Sequence, residues 1–218
     1  ATMLDVLINR LRGIGPVAHQ VWLPPLKQPP ALDQLLPPLV DHPALGPRPV
    51  GDYDVSTLRV PVGLVDLPAQ QRRELLSADL SGAKGNVAIV GGPQTGKSTL
   101  VRTLLSALAL THTAAEVQFY CLDFGGTLST LSRLPHTGSI AGRLDRDRVT
   151  RTVAEMTNLM ARREQLFAQH NIDSMASYRR ARRQGQFLDL DPHGDAFLVV
   201  DGWYTIRQDY EELEDRFG

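Results

Sequence analysis

An α/β fold, a parallel sheet flanked by helices, is predicted by three observations. Short apolar, β-branched runs at residues 86–90, 117–122 and 196–200 alternate with stretches of helical periodicity. The first run is followed by Gly91-Gly92-Pro93-Gln94-Thr95-Gly96-Lys97-Ser98, which fits G-x-x-x-x-G-K-[ST] in its required place between a strand and a helix. The other two runs end in Asp123 and Asp201, at the carboxyl ends of strands where such folds place ligands.

In chain order, Leu4, Leu7, Ile8 and Leu11 share one helical face, which predicts a short amphipathic helix over residues 3–12. Its polar face is not strongly basic, so docking on the chain's own domain is favoured over membrane binding. The chain begins at Ala1 without an initiator Met, which suggests a fragment or a processed product. Eleven of the 15 prolines then fall between Pro16 and Pro61 and forbid long helices and central strands. Residues 1–57 are accordingly read as a helix and a proline-rich arm, anchored on the nucleotide domain through the apolar cluster Val21 to Leu26. From Leu58 the runs 58–66 and 74–80, separated by polar residues, predict an antiparallel pair leading into the strand at 86–90.

The loop that follows reads as a phosphate cradle. Gly91 and Gly96 allow backbone geometry that a side chain would forbid and let N–H groups approach phosphate oxygens at a helix N-terminus. Lys97 reaches the terminal phosphates, Ser98 offers a hydroxyl to the bridging Mg²⁺, and Thr99 opens the helix near the α-phosphate. Gly92, Pro93, Gln94 and Thr95 complete the cradle. With 18 Gly and three Lys in 218 residues, chance produces this pattern on the order of once in several hundred such chains.

After the helix, Asp123 is either a ligand of Mg²⁺ or water, or a cap on the turn at Gly125 and Gly126. A long helix begins near Asp147, with Val149, Val153, Met156, Met160 and Phe167 as its buried stripe and Arg163 taking an apolar place in it. The segment 171–174 is a turn with an N-cap, and a short helix runs through Arg183 to a stop near Gly185. Its arginines, Arg179, Arg180, Arg182 and Arg183, read as a solvated face, with nucleic-acid contact as the alternative. The strand at 196–200 delivers Asp201, placed to orient a water on Mg²⁺. Many hydrolytic members of this class carry Glu at the next position; this chain has Gly202 and then Trp203.

Composition narrows the function classes. A formal net charge of −1 gives no basic footprint that demands nucleic acid or an anionic membrane. The single cysteine, Cys121, lies inside an apolar run and reads as a buried structural thiol, consistent with a reducing cytosol. No apolar run of about 18 residues is present, so this segment is not expected to span a bilayer.

The chain resembles an ATPase domain of the FtsK/SpoIIIE superfamily, and most closely a degenerate domain of the EccC ATPases of type VII (ESX) secretion. The resemblance rests on Val21-Trp22-Leu23-Pro24-Pro25-Leu26, Val62-Gly63-Leu64-Val65-Asp66, the loop from Gly91 to Thr99, Val117-Gln118-Phe119-Tyr120-Cys121-Leu122-Asp123, Leu134-Pro135-His136, Val153-Ala154-Glu155-Met156, and Val199-Val200-Asp201-Gly202-Trp203. It implies a RecA-like P-loop core over residues 58–218, without the later strands that would complete the sheet, and with ATP and Mg²⁺ as ligands. It also implies a middle domain of a multi-domain cytoplasmic ATPase, hexameric when active. Such a machine is attached to an inner-membrane complex through other parts of the protein and exports small helical proteins from an actinobacterial cell. Arg162 or Arg163 stands where the superfamily has a paired arginine and could reach a neighbouring protomer's nucleotide. The implied metal residues are Ser98 and Asp201; catalytic candidates are limited to Asp123, Arg162 and Arg163. With Gly202 in place of the glutamate, the domain is expected to bind ATP·Mg²⁺ with slow or no hydrolysis, and two alternatives stand: a DNA translocase, and a nucleotide-locked protein-binding module.

Overall fold

The computed structural model describes all residues except 1, 17, 19–21, 52–55, 83–84 and 215–218. At its centre lies a three-stranded parallel sheet in the order β6–β5–β7, made of β5 (Val117–Asp123), β6 (Thr137–Gly142) and β7 (Asp195–Asp201). Alternation along β5 sends Val117, Phe119 and Cys121 to one face and Leu122 to the other, and each face builds its own core. Helix α3 (Lys97–Thr111) closes the first face through Leu105 and Leu108. Helix α4 (Arg146–His170) closes the second through Val149 and Val153, joined by Ile206 and Tyr210 from helix α6 (Trp203–Asp209) and its C-cap and by Leu213 from the following turn of helix.

Around this core the elements follow the expected order, with three differences. The antiparallel pair is present as β3 (Arg59–Leu67) and β4 (Arg72–Asp79), its register shifting between Pro61 and Gly63, where proline has no N–H to give the ladder. The segment 86–90 joins none of the described sheets; Val90 is 93% exposed, and β7 is left as an edge strand. The stripe of α4 is also corrected. Met160 lies 61% exposed, while Thr152 and Leu159 are buried beside Val149 and Val153, so the inward face is rotated from the one that the apolar residues define. Finally, β6 and α6 are elements that apolar periodicity does not mark, since Thr-Gly-Ser-Ile-Ala-Gly has one large apolar residue in six.

In the arm, α1 (Met3–Leu11) forms with a capping box between Thr2 and Asp5, yet it buries no residue; its apolar face is not docked on the described part of the chain. Of the anchoring expected of residues 21–26, only Leu23 among the described apolar side chains is even half-buried. Trp22 is 73% exposed, Leu26 is exposed, Val21 lies outside the described residues, and the tie recorded there runs from the Arg73 guanidinium to the Pro24 carbonyl. Anchoring comes later, through a short helix α2 (Leu32–Leu35) and a hairpin of β1 (Leu39–His42) and β2 (Gly46–Pro49). Leu35 and Leu36 are buried, and Arg48 Nη1 donates to the His112 carbonyl at 2.7 Å, at the end of α3.

Candidate functional site

The phosphate loop sits where α3 begins. Gly96 has φ 89° and caps the helix in the left-handed region, which favours glycine. A Cβ at Gly91 would come within 2.6 Å of Thr95 Oγ1, so the loop closes tightly there as well. Thr95 Oγ1 donates to the Gly92 carbonyl at 2.9 Å, and Lys97 Nζ donates to the carbonyls of Gly91 at 2.8 Å and Gly92 at 2.5 Å. The ammonium is thus folded over the mouth of the loop. Thr99 is exposed on the first turn of α3, where its carbonyl accepts from Thr103 Oγ1 at 3.0 Å and its hydroxyl lies near Arg102.

Ser98 joins this loop to the end of β7: its Oγ donates to Asp201 Oδ1 at 3.1 Å across 103 residues of sequence. A serine hydroxyl and a carboxylate side by side behind a lysine are hard oxygen donors suited to Mg²⁺ bound through a nucleotide's phosphates. The residues present therefore fit the implied nucleotide and metal. The second oxygen of Asp201, Oδ2, accepts from Thr127 Oγ1 at 2.9 Å, a contact that no sequence motif announces.

Asp123 sits one strand over, paired in register with Asp201, but its carboxylate is turned into the following loop. Oδ1 accepts from the Thr127 N–H at 3.0 Å and Oδ2 from the Leu128 N–H at 2.8 Å, and the residue is 4% exposed. Both oxygens are occupied by backbone donors, the arrangement of a loop cap. Gly202 follows Asp201 with φ 96° and caps α6; a Cβ there would meet Phe124 Cβ at 3.2 Å. Trp203 and Tyr204 lie largely exposed beyond it.

The two arginine candidates differ in position. Arg162 is exposed and pairs with Glu155 at 3.0 Å on its own helix. Arg163 is largely buried against the loop that leads into β7. Its Nε meets Asp191 Oδ2 at 2.7 Å, and its Nη2 donates to the carbonyls of His193 at 2.9 Å and Gly194 at 2.5 Å. Burial works against the charge of Asp191, but hydrogen bonds from Arg163, Tyr178 and the His193 N–H together hold its pKa below the usual carboxylate range. These residues precede β7, whereas Asp201 ends it, so about 20 Å of strand separates Arg163 from the phosphate loop.

The arginine cluster on α5 (Met175–Arg183) is not a wholly solvated face. Arg179 pairs with Asp195 at 2.8 Å with both side chains nearly buried, and donates to the Ser81 carbonyl at 2.7 Å. Burial raises the Asp195 pKa in spite of that partner. Arg182 donates to the Asp191 carbonyl and lies over the Tyr178 ring. Arg180 and Arg183 alone of the four are exposed. Cys121 is fully buried, and burial, with Asp123 adding to it, pushes its thiol up to about 12, which makes it inert packing.

The FtsK/SpoIIIE family model matches residues 55–216. The ESX secretion system protein EccC of Thermomonospora curvata is 56% identical over 215 residues, covering 98% of this chain and 16% of that protein. The chain thus spans about a sixth of the length of that relative. The solved cytoplasmic domain of the T. curvata type VII secretion ATPase EccC superposes with a TM-score of 0.91 at 55% identity, covering 99% of this chain and 25% of that one. ATPases 2 and 3 of the same protein, solved in complex with a signal sequence peptide, superpose at 0.84 with 57% identity, covering 90% of this chain and 35% of theirs. Among the described residues no helix is long and apolar enough to cross a membrane.

Proposed function

The chain belongs to the FtsK/SpoIIIE family, and from that premise we propose that it is an ATP·Mg²⁺-binding domain of an EccC-type secretion ATPase that holds nucleotide with slow or no hydrolysis. One observation carries the reading. Lys97 and Ser98 open α3 with the Ser98 hydroxyl 3.1 Å from Asp201, while the position after Asp201 offers no side chain. Lys97 would swing from the loop carbonyls to the terminal phosphates, and Ser98 and Asp201 would hold the metal, directly and through water. The bound metal would neutralise charge between the phosphates. Binding acts on the ground state and needs no base, so it survives the loss of the glutamate; the attack of water does not.

Neither of the two carboxylates at the strand ends is free to replace that base. Asp123 spends both oxygens on backbone N–H groups, and Asp201 is held by two hydroxyls. ATP would then act as a ligand that stabilises the fold or an interface by mass action. The similarity to ATPases 2 and 3 of a multi-domain relative supports a place as a middle domain, residues 58–218 with residues 32–49 packed on it. Neighbouring ATPase domains and secreted helical proteins would be its partners and a hexamer its assembly. The DNA-translocase alternative rested on the α5 arginines, and two of those four are committed to Asp195, Ser81 and Asp191 within the chain.

The test is the fate of the nucleotide. The purified chain with ATP and Mg²⁺ is expected to show thermal protection and to return the ATP intact. Sustained conversion to ADP that disappears in Lys97→Ala would overturn the non-hydrolysing reading.

A further inference from the structure

We propose that Thr127 is the positioning residue of the metal site: it sets the orientation of the Asp201 carboxylate and thereby couples Mg²⁺-nucleotide binding to the loop between β5 and β6. The inference rests on the nucleotide-binding reading above and extends it to a residue outside every motif.

A carboxylate that must accept from a metal-bound water is useful in one rotamer only, and a lone Asp at a strand end has several. Here the choice is made by two hydroxyls. Ser98 Oγ occupies Oδ1 at 3.1 Å and Thr127 Oγ1 occupies Oδ2 at 2.9 Å. Their duties would differ, because Ser98 is also the hydroxyl that would hold a phosphate-bridging metal, which would leave Oδ1 free to hold that metal through water. Thr127 has no such second task. It keeps Oδ2 engaged in both states and leaves the other oxygen facing the site.

The loop that carries Thr127 is built to hold that hydroxyl in place. The Thr127 N–H donates to Asp123 Oδ1 and the Leu128 N–H to Asp123 Oδ2, while Leu128 is fully buried in the core under α3. The Phe124 N–H donates to the Asp201 carbonyl at 3.0 Å, and Phe124 stacks on Tyr210. The loop also passes close to the carboxylate: a Cβ at Gly125 would lie 2.9 Å from Asp201 Oδ2. The buried Asp123 thus acts through Thr127. It fixes the backbone whose hydroxyl fixes Asp201, which explains an acidic residue at this strand end without placing it on the metal.

Titration calorimetry of the full chain with ATP, in Mg²⁺ and in EDTA, tests the proposal. The wild type is expected to bind more tightly with Mg²⁺. Thr127→Val should lose roughly tenfold of that Mg²⁺-dependent gain, the scale of one hydrogen bond to a charged group, and leave the affinity in EDTA unchanged. Thr127→Ser should restore the gain, and Thr127→Val added to Asp201→Asn should cost nothing further. If Thr127→Val does not fold, Thr127→Ala, which removes the γ-methyl along with the hydroxyl and adds no new group, takes its place. A full Mg²⁺ gain in the valine variant overturns the proposal, as does an equal loss with and without the metal or a failure of serine to rescue. A wild type that binds no ATP in either buffer overturns the nucleotide-binding reading itself and this inference with it.

Discussion

Restoring the glutamate at position 202 should not restore hydrolysis. The substitution Gly202→Glu supplies the missing base on paper, and positioned general bases contribute on the order of 10² to 10⁴ in rate. The backbone opposes it. Gly202 has φ 96° and ψ 51°, where a residue with a Cβ costs on the order of 1–3 kcal/mol. The new Cβ would also meet Phe124 Cβ at 3.2 Å, and Phe124 cannot easily retreat: it stacks on Tyr210, whose hydroxyl donates to the Arg143 carbonyl at 2.7 Å. For a chain of this size each kcal/mol lowers the melting temperature by about 2–4 °C, so a loss of roughly 2–12 °C is expected. If the backbone instead relaxes to φ below zero, the carboxylate leaves the direction that continues β7 into α6. The assay pairs a thermal melt with multiple-turnover ADP release. Gly202→Glu at wild-type stability, with ATPase activity that Lys97→Ala abolishes, would refute the reasoning.

Lys97→Ala deletes the point charge on the terminal phosphates and should weaken ATP binding by at least tenfold in calorimetry without lowering the melting temperature, because in the free chain Lys97 meets only loop carbonyls. Arg163→Ala should cost about 3–5 kcal/mol in denaturant unfolding by stranding Asp191, whereas Arg162→Ala, whose partner Glu155 is exposed, should stay within about 0.5 kcal/mol. Acid should destabilise the junction of arm and core. Burial lowers the pKa of His112 and of His136, so the unfolded chain takes up their protons first; stability present above pH about 6.5 is lost as the pH falls below it, and urea titrations at pH 7.5 and 5.5 should show a gap that His136→Gln narrows.

The parts of the molecule legible in the sequence are those whose chemistry is local. The phosphate loop needs glycine at fixed offsets, and Ser174 as an N-cap or Gly185 with φ 82° after α5 needs one residue in one conformation. The sheet strands β5, largely buried, and β7, half-buried along its length, are packed on both faces and appear as continuous apolar runs. Legibility fails where a residue's role is set by a distant partner. Arg163 reads as an intruder in an apolar stripe because Asp191 and two carbonyls, 28–31 residues away, are absent from the periodicity. Thr127 carries no signal at all, since its partner Asp201 is 74 residues away. The segment 86–90 shows the opposite failure: its apolar run is a good strand by composition, but a strand exists through its neighbour, and none of the described strands pairs with it.

The two ends of β7 explain why one chain can keep a nucleotide cradle and still place charged residues for stability alone. At the start of the strand Asp195 meets Arg179, and the carbonyls just before it hold Arg163; these pairs are nearly buried and knit α4 and α5 to the sheet. At its end the Asp201 carboxylate is held, among the described residues, by two neutral hydroxyls. A carboxylate paired with an arginine would have its charge already satisfied and little attraction left for Mg²⁺, whereas one held by hydroxyls has no cation competing for it and would give up only a weak contact to a metal. The separation is enforced by the strand itself, since no arginine at the start can cross about 20 Å to reach the loop. Arg163 is therefore committed to structure at the far end of the strand, and of the two arginine candidates Arg162, whose one recorded ion pair is with the exposed Glu155, is the less constrained.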